Sequence, residues 1–201
     1  MQGYNACDLV RRSKVLIAGG FGVGKTTFVG AVSEIRPVST EERLTAAGEP
    51  LDSLNGVEAK TTTTVAIDFG RRTFPGPPDV KLLLFGTPGQ PRFQLLWEDL
   101  SFGADGAVVL VDTRRLEDCF EAVDFFERRQ VPFLIAVNQF HGTARYEMRQ
   151  VREALRLPAE VPVVRCDARD RHSAVDVLIH LIGHALNSST PSVNIPLGAR
   201  P

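Results

Sequence analysis

The chain has 201 residues, 43% of them hydrophobic, enough for one substantial core and within the usual size of about 100–200 residues for one domain. The 23 basic residues nearly balance the 24 acidic ones, giving a net charge of −1, so no bulk electrostatic attraction to nucleic acid or to an anionic membrane is present. No run reaches the roughly 18 apolar residues of a membrane span, and Met1 to Asn5 lacks the charged-then-apolar pattern of a signal peptide. A cytoplasmic protein is expected, without direct membrane insertion and with any membrane attachment through a partner. Cys7, Cys119 and Cys166 are odd in number and lack CxxC spacing, which suits reduced thiols rather than a disulfide frame or a metal site.

Apolar runs at Lys14–Ala18, Val65–Phe69, Lys81–Phe85, Ala107–Val111, Pro132–Val137 and Pro162–Arg165 predict six strands. Helical spacing predicts helices at Lys25–Ile35, Leu116–Arg129, Tyr146–Leu155 and Ser173–Leu186. The alternation predicts an α/β three-layer fold of the P-loop NTPase type: a mostly parallel six-stranded sheet with helices on both faces. The Val65–Phe85 pair, joined by Pro75-Gly-Pro-Pro78, reads as a hairpin that adds one antiparallel edge strand. Residues 36–64 and 86–104 read as long loops, a length usually tied to function. One domain over residues 1–187 is expected, with a disordered tail over 188–201, where Ser, Pro and small residues dominate.

Residues 19–26, Gly-Gly-Phe-Gly-Val-Gly-Lys-Thr, form a complete G-x-x-x-x-G-K-[ST] motif between a predicted strand and a predicted helix. Gly19, Gly22 and Gly24 permit a tight wrap around a pyrophosphate, with the backbone at Val23 and Thr27 completing the cradle. Lys25 offers a point charge to the β- and γ-phosphates, and the Thr26 hydroxyl is the expected Mg²⁺ ligand. Nucleotide binding is the leading expectation.

With this loop, Thr64 before a strand, Pro88-Gly89-Gln90, and Asn138 after an apolar strand, the chain resembles the Ras-like small GTPases. The runs Thr-Thr-Val-Ala-Ile-Asp-Phe-Gly-Arg, Leu-Phe-Gly-Thr-Pro-Gly-Gln-Pro-Arg-Phe and Cys-Asp-Ala-Arg resemble more closely the conservon, or CvnD-type, small GTPases of actinobacteria. These are in turn similar to MglA-type bacterial GTPases. The likeness spans nearly residues 14–187. It implies a GTP/GDP-binding switch with Mg²⁺ and slow hydrolysis, and partners of the Roadblock/LC7 and sensor-kinase-like types. It further implies that Thr64, with Thr63 as the near alternative, binds Mg²⁺ and senses the γ-phosphate, that Gln90 orients the attacking water beside Gly89, and that Asn138, Gln139, His141 and the Ala168 N–H surround the base.

Two positions depart from that pattern. The carboxylate of the Asp-x-x-Gly signature is replaced by Gly86, leaving Mg²⁺ to Thr26, phosphate oxygens, waters and Thr64. The base-reading Asp of Asn-Lys-x-Asp is replaced by His141, which would erase on the order of tenfold to a hundredfold of guanine preference. ATP therefore stays open beside GTP, with Asp167 as an alternative base reader. Other readings are a non-hydrolysing binding module, and a P-loop ATPase or kinase using Asp112 as its metal carboxylate. Arg43, Arg92 and Arg145 are all candidates for a charge-stabilising arginine.

Overall fold

The computed structural model describes residues 10–44, 63–89 and 95–188, and the side chains of 39–44 and 63–66 lie outside that description. In chain order the elements are β1 (Arg11–Ala18), α1 (Lys25–Val32), β2 (Val38–Leu44), β3 (Thr63–Phe74), β4 (Val80–Gly86), α2 (Leu95–Ser101) and β5 (Gly106–Val111). A 3-10 turn (Leu116–Cys119) then leads into α3 (Phe120–Arg129), β6 (Phe133–Asn138), α4 (Met148–Ala154), β7 (Val163–Cys166) and α5 (Arg171–Ser188).

Among the described residues the sheet has seven strands in the order β2-β3-β4-β1-β5-β6-β7. Strands β4, β1, β5, β6 and β7 pair in parallel. The hairpin partner β3 is antiparallel to β4, as its Pro-rich connection predicts, and also to β2. The α/β architecture thus agrees with the sequence reading, while the six-strand count is corrected to seven and the antiparallel strand lies one place in from the edge. The added strand, β2, falls inside the expected 36–64 loop. Its sequence, Val-Ser-Thr-Glu-Glu-Arg-Leu, carries little apolar periodicity, and its attachment is a ladder of seven backbone-paired positions with β3. The expected 86–104 loop likewise contains α2, which buries only Trp97 and Ser101 and so leaves a faint helical stripe.

Period-two alternation on the central strands divides the core in two. Val15 and Ile17 of β1 join Phe28, Val29 and Val32 of α1 and Val177, Leu178 and Leu181 of α5 on one face. Leu16 and Ala18 join Trp97 of α2, Phe125 and Phe126 of α3 and Val151 of α4 on the other. Strands β5 and β6 are buried along their whole length, as expected of parallel strands covered on both faces. The carboxyl ends of β1, β4, β5 and β6 consequently open together at one edge, where the loops that carry the sequence motifs emerge.

Candidate nucleotide site

The turn from β1 into α1 is built on three glycines with positive φ: Gly19 (130°), Gly22 (73°) and Gly24 (105°). Close approach matters as much as φ, since a Cβ at Gly19 would stand 2.3 Å from the Leu110 carbonyl oxygen and one at Gly24 2.8 Å from Asn138 Nδ2. Gly24 is the N-cap of α1 and gives it no side-chain cap, and the first turn carries no acidic residue. The first N–H groups of α1 and its positive dipole end are therefore left for an external anion. Thr26 and Thr27 are exposed in that first turn, and Val23 is buried behind it.

Lys25 folds over the loop, donating to the carbonyls of Gly19 (2.8 Å) and Gly20 (2.6 Å). Burial pushes its ammonium down from 10.5 to about 8, and the Asp68 carboxylate pulls in the opposite direction. Gly89 packs against the same ammonium, where a Cβ would come within 2.5 Å of Nζ. Its approach is fixed by Thr87 N–H donating to Ile17 O (2.9 Å) and by Trp97 Nε1 donating to Pro88 O (3.0 Å).

Asp68 is the functional candidate that motif reading passed over. Phe69 pairs with Phe85 across the antiparallel β3–β4 ladder, so Asp68 comes opposite Gly86. Its carboxylate occupies the room that a side chain at Gly86 would need: a Cβ there would lie 3.2 Å from Asp68 Cβ and 3.3 Å from Oδ2. Thr26 Oγ1 donates to Asp68 Oδ2 at 2.5 Å. Two hard oxygen donors thus meet at the mouth of the loop, on different elements, a set suited to a cation completed by phosphate oxygens and water. Among the described residues no cluster of three or more His, Cys, Asp or Glu side chains is placed to hold a metal. The sequence signal was present as the Asp of Val-Ala-Ile-Asp-Phe, but only the strand register reveals what it faces.

At the other end of the cleft the Asn138 amide bridges two loops, donating from Nδ2 to Val23 O (2.8 Å) and accepting from Ala168 N–H (3.0 Å). It is 7% exposed, so both bonds are largely shielded from water. The Ala168 N–H, expected to face the base, is engaged by this bond. Gln139 is half-buried and its N–H donates to Cys166 O (2.7 Å), while His141 is exposed. Asp167 accepts a two-pronged bond from Arg169 (2.9 and 2.8 Å), which holds its carboxyl below the usual range, with His141 acting in the same direction.

The remaining expected residues are only partly placed. Thr64 lies in β3 opposite Arg43 of β2, with both side chains outside the described residues, and Gln90 lies outside them altogether. Asp112, considered as a metal carboxylate, is instead 4% exposed and bonded to Arg114 through Nε (2.9 Å) and Nη2 (2.6 Å). Its oxygens are turned to arginine, and Arg114 with its neighbour holds the carboxyl below its ordinary range.

Residues 17–188 match the model of a family described as "conserved hypothetical ATP binding protein". The chain belongs to this family. It is 32% identical over 128 residues to an uncharacterized protein of Methanocaldococcus jannaschii, covering 63% of this chain and 69% of that one. It is also 27% identical over 146 residues to a probable translation initiation factor IF-2 of Thermofilum pendens, spanning 69% of this chain but 23% of the factor. Among solved structures, the FeoB G-domain of Methanococcus jannaschii superposes with a TM-score of 0.57 at 17% identity, over 88% of this chain and 99% of the other. That likeness carries the fold alone, a G-domain-like scaffold, while nucleotide binding rests on the family. Among the described residues no helix is long and apolar enough to cross a membrane.

Proposed function

We propose that this protein is a Mg²⁺-dependent nucleotide switch that binds GTP and GDP and hydrolyses GTP slowly, signalling through partner proteins. The observation that carries the proposal is the Asp68 carboxylate at Thr26, opposite the side-chainless Gly86. It supplies from β3 the metal-directed carboxylate that the Asp-x-x-Gly pattern would supply from β4.

In this reading the loop N–H groups and Lys25 bind the β- and γ-phosphates, whose negative charge favours the ammonium and opposes the effect of burial on it. Thr26 and Asp68 would hold Mg²⁺, with Thr64 as a further ligand in the triphosphate state. The chemistry Mg²⁺ would supply there is positive charge to offset that of the phosphates. Gln90 orients the attacking water, Gly89 lets the backbone approach the γ-phosphate, and Asn138 ties the phosphate loop to the base loop. Relaxation of the segments bearing Thr64 and Gln90 after hydrolysis is the switch.

His141 favours a second reading, relaxed choice between guanine and adenine, because the neighbouring Asp167 carboxylate is already forked to Arg169. Partners of the Roadblock/LC7 and sensor-kinase-like types, and membrane association through them, rest on the sequence resemblance alone and are open to co-purification tests.

Calorimetric titration of nucleotide-free protein with GTP, GDP, ATP and ADP, with Mg²⁺ and with EDTA, tests the proposal. Guanine binding at least about tenfold tighter supports the GTP switch, equal affinities support the relaxed reading, and no binding removes both. Asp68→Asn is expected to reduce the Mg²⁺-dependent gain in triphosphate affinity by about tenfold to a hundredfold. An unchanged gain would remove Asp68 from the metal site.

A further inference from the structure

Two consecutive arginines after β5 reach in different directions from one buried carboxylate. Arg114 caps Asp112 and lays its guanidinium over the Phe140 ring, 4.2 Å from the centroid, in the loop that carries Asn138 and His141. Arg115 turns the other way, its Nη2 lying 4.0 Å from Asp112 and its Nη1 3.5 Å from Asp118. From there Arg115 Nη2 donates to the carbonyl of Phe21, at the tip of the phosphate loop, at 3.0 Å. The same nitrogen stands 3.8 Å from where a Cβ on Gly22 would be.

The peptide joining Phe21 to Gly22 is planar, and in its trans form the carbonyl and the N–H point in opposite directions. A carbonyl held towards Arg115 therefore turns the Gly22 N–H away from Arg115. With φ of 73°, Gly22 has no side-chain constraint of its own to fix that plane. Charge adds a second effect. Asp118 packs against the loop, its Cβ lying 2.5 Å from where a Cβ on Gly20 would be, and its carboxylate would repel a bound phosphate unless paired.

We propose that Arg115, anchored by Asp112 and Asp118, is a positioning residue for the phosphate-binding loop: its bond to the Phe21 carbonyl aims the Gly22 N–H at the phosphates of a bound nucleotide. The inference rests on the nucleotide-binding reading above. In this role Arg115 acts through the loop backbone.

The test compares the full chain with Arg115→Met and Arg115→Lys, titrating each with Mg²⁺-GTP and Mg²⁺-GDP, or with the adenine pair if the parent prefers it. Thermal unfolding is followed for the nucleotide-free forms. Arg115→Met is expected to weaken both nucleotides about tenfold, the size of one charge-assisted hydrogen bond. Arg115→Lys, which keeps a cationic donor, should recover most of the loss, with the nucleotide-free unfolding midpoints unchanged. Parent-like affinity in Arg115→Met overturns the inference. A loss that lysine fails to repair and that follows a fall in the unfolding midpoint also overturns it, leaving Arg115 a purely structural residue. A parent protein that binds no nucleotide fails the underlying reading before any variant is made, so the two failures are distinguishable.

Discussion

At the scale of single residues, Asp68 and Gly86 form a transposed pair. A glycine on β4 and a carboxylate on β3 share one space, so a carboxylate at both positions would bring two like charges into contact. Gly86→Asp alone is expected to weaken Mg²⁺-nucleotide binding, whereas Asp68→Gly combined with Gly86→Asp should restore it to within about tenfold of the parent. A double variant no better than either single one, by titration, would show that the two positions are not exchangeable. Lys25 gives a pH signature. Its folded pKa lies below its unfolded one, so its charged form disfavours folding fully below about 8, and that penalty is relieved as pH rises towards 10.5. The effect is at most about 3 kcal/mol. The buried thiols of Cys119 and Cys166, pushed up to about 12, act oppositely, because unfolded thiols ionise near 9 and folded ones do not. Stability of the nucleotide-free protein measured between pH 8 and 9 should therefore rise relative to Lys25→Met, and bound triphosphate should flatten the difference.

At the scale of elements, α2 ties the Pro88-Gly89 turn to the hydrophobic layer. Trp97 is 5% exposed, stands edge-on to Phe125 of α3 at a centroid distance of 5.5 Å, and donates to Pro88 O. It is the single tryptophan of the chain, so its emission reports on this one contact. Triphosphate binding is expected to shift that emission where diphosphate does not, because the γ-phosphate draws on the backbone at Gly89. Identical spectra with both nucleotides would separate α2 from any switch. Helix α2 and strand β2 were hidden for related reasons: α2 buries two side chains only, and β2 is attached through backbone bonds that its sequence does not display. Strands β5 and β6 were legible because every residue in them is buried, β1 because its second half is an unbroken buried run, and α5 because Ala174, Val177, Leu178 and Leu181 recur at helical spacing.

Over the whole molecule, the parallel sheet gathers loops from distant parts of the chain at one edge, and Asn138 fastens them, linking Val23 to Ala168 across two connections. Local pattern determined the α/β class, the phosphate loop, the β3–β4 hairpin and the departures at Gly86 and His141, since these depend on spacing within one segment. Tertiary structure alone decided that Asp68 fills the place beside Gly86, that Asp112 lies between Arg114 and Arg115, and that Arg115 reaches the loop 94 residues before it. The physical reason is register: which side chains meet across a sheet or between loops is set by strand pairing and packing, and those are properties of the folded chain that periodicity along one segment does not encode.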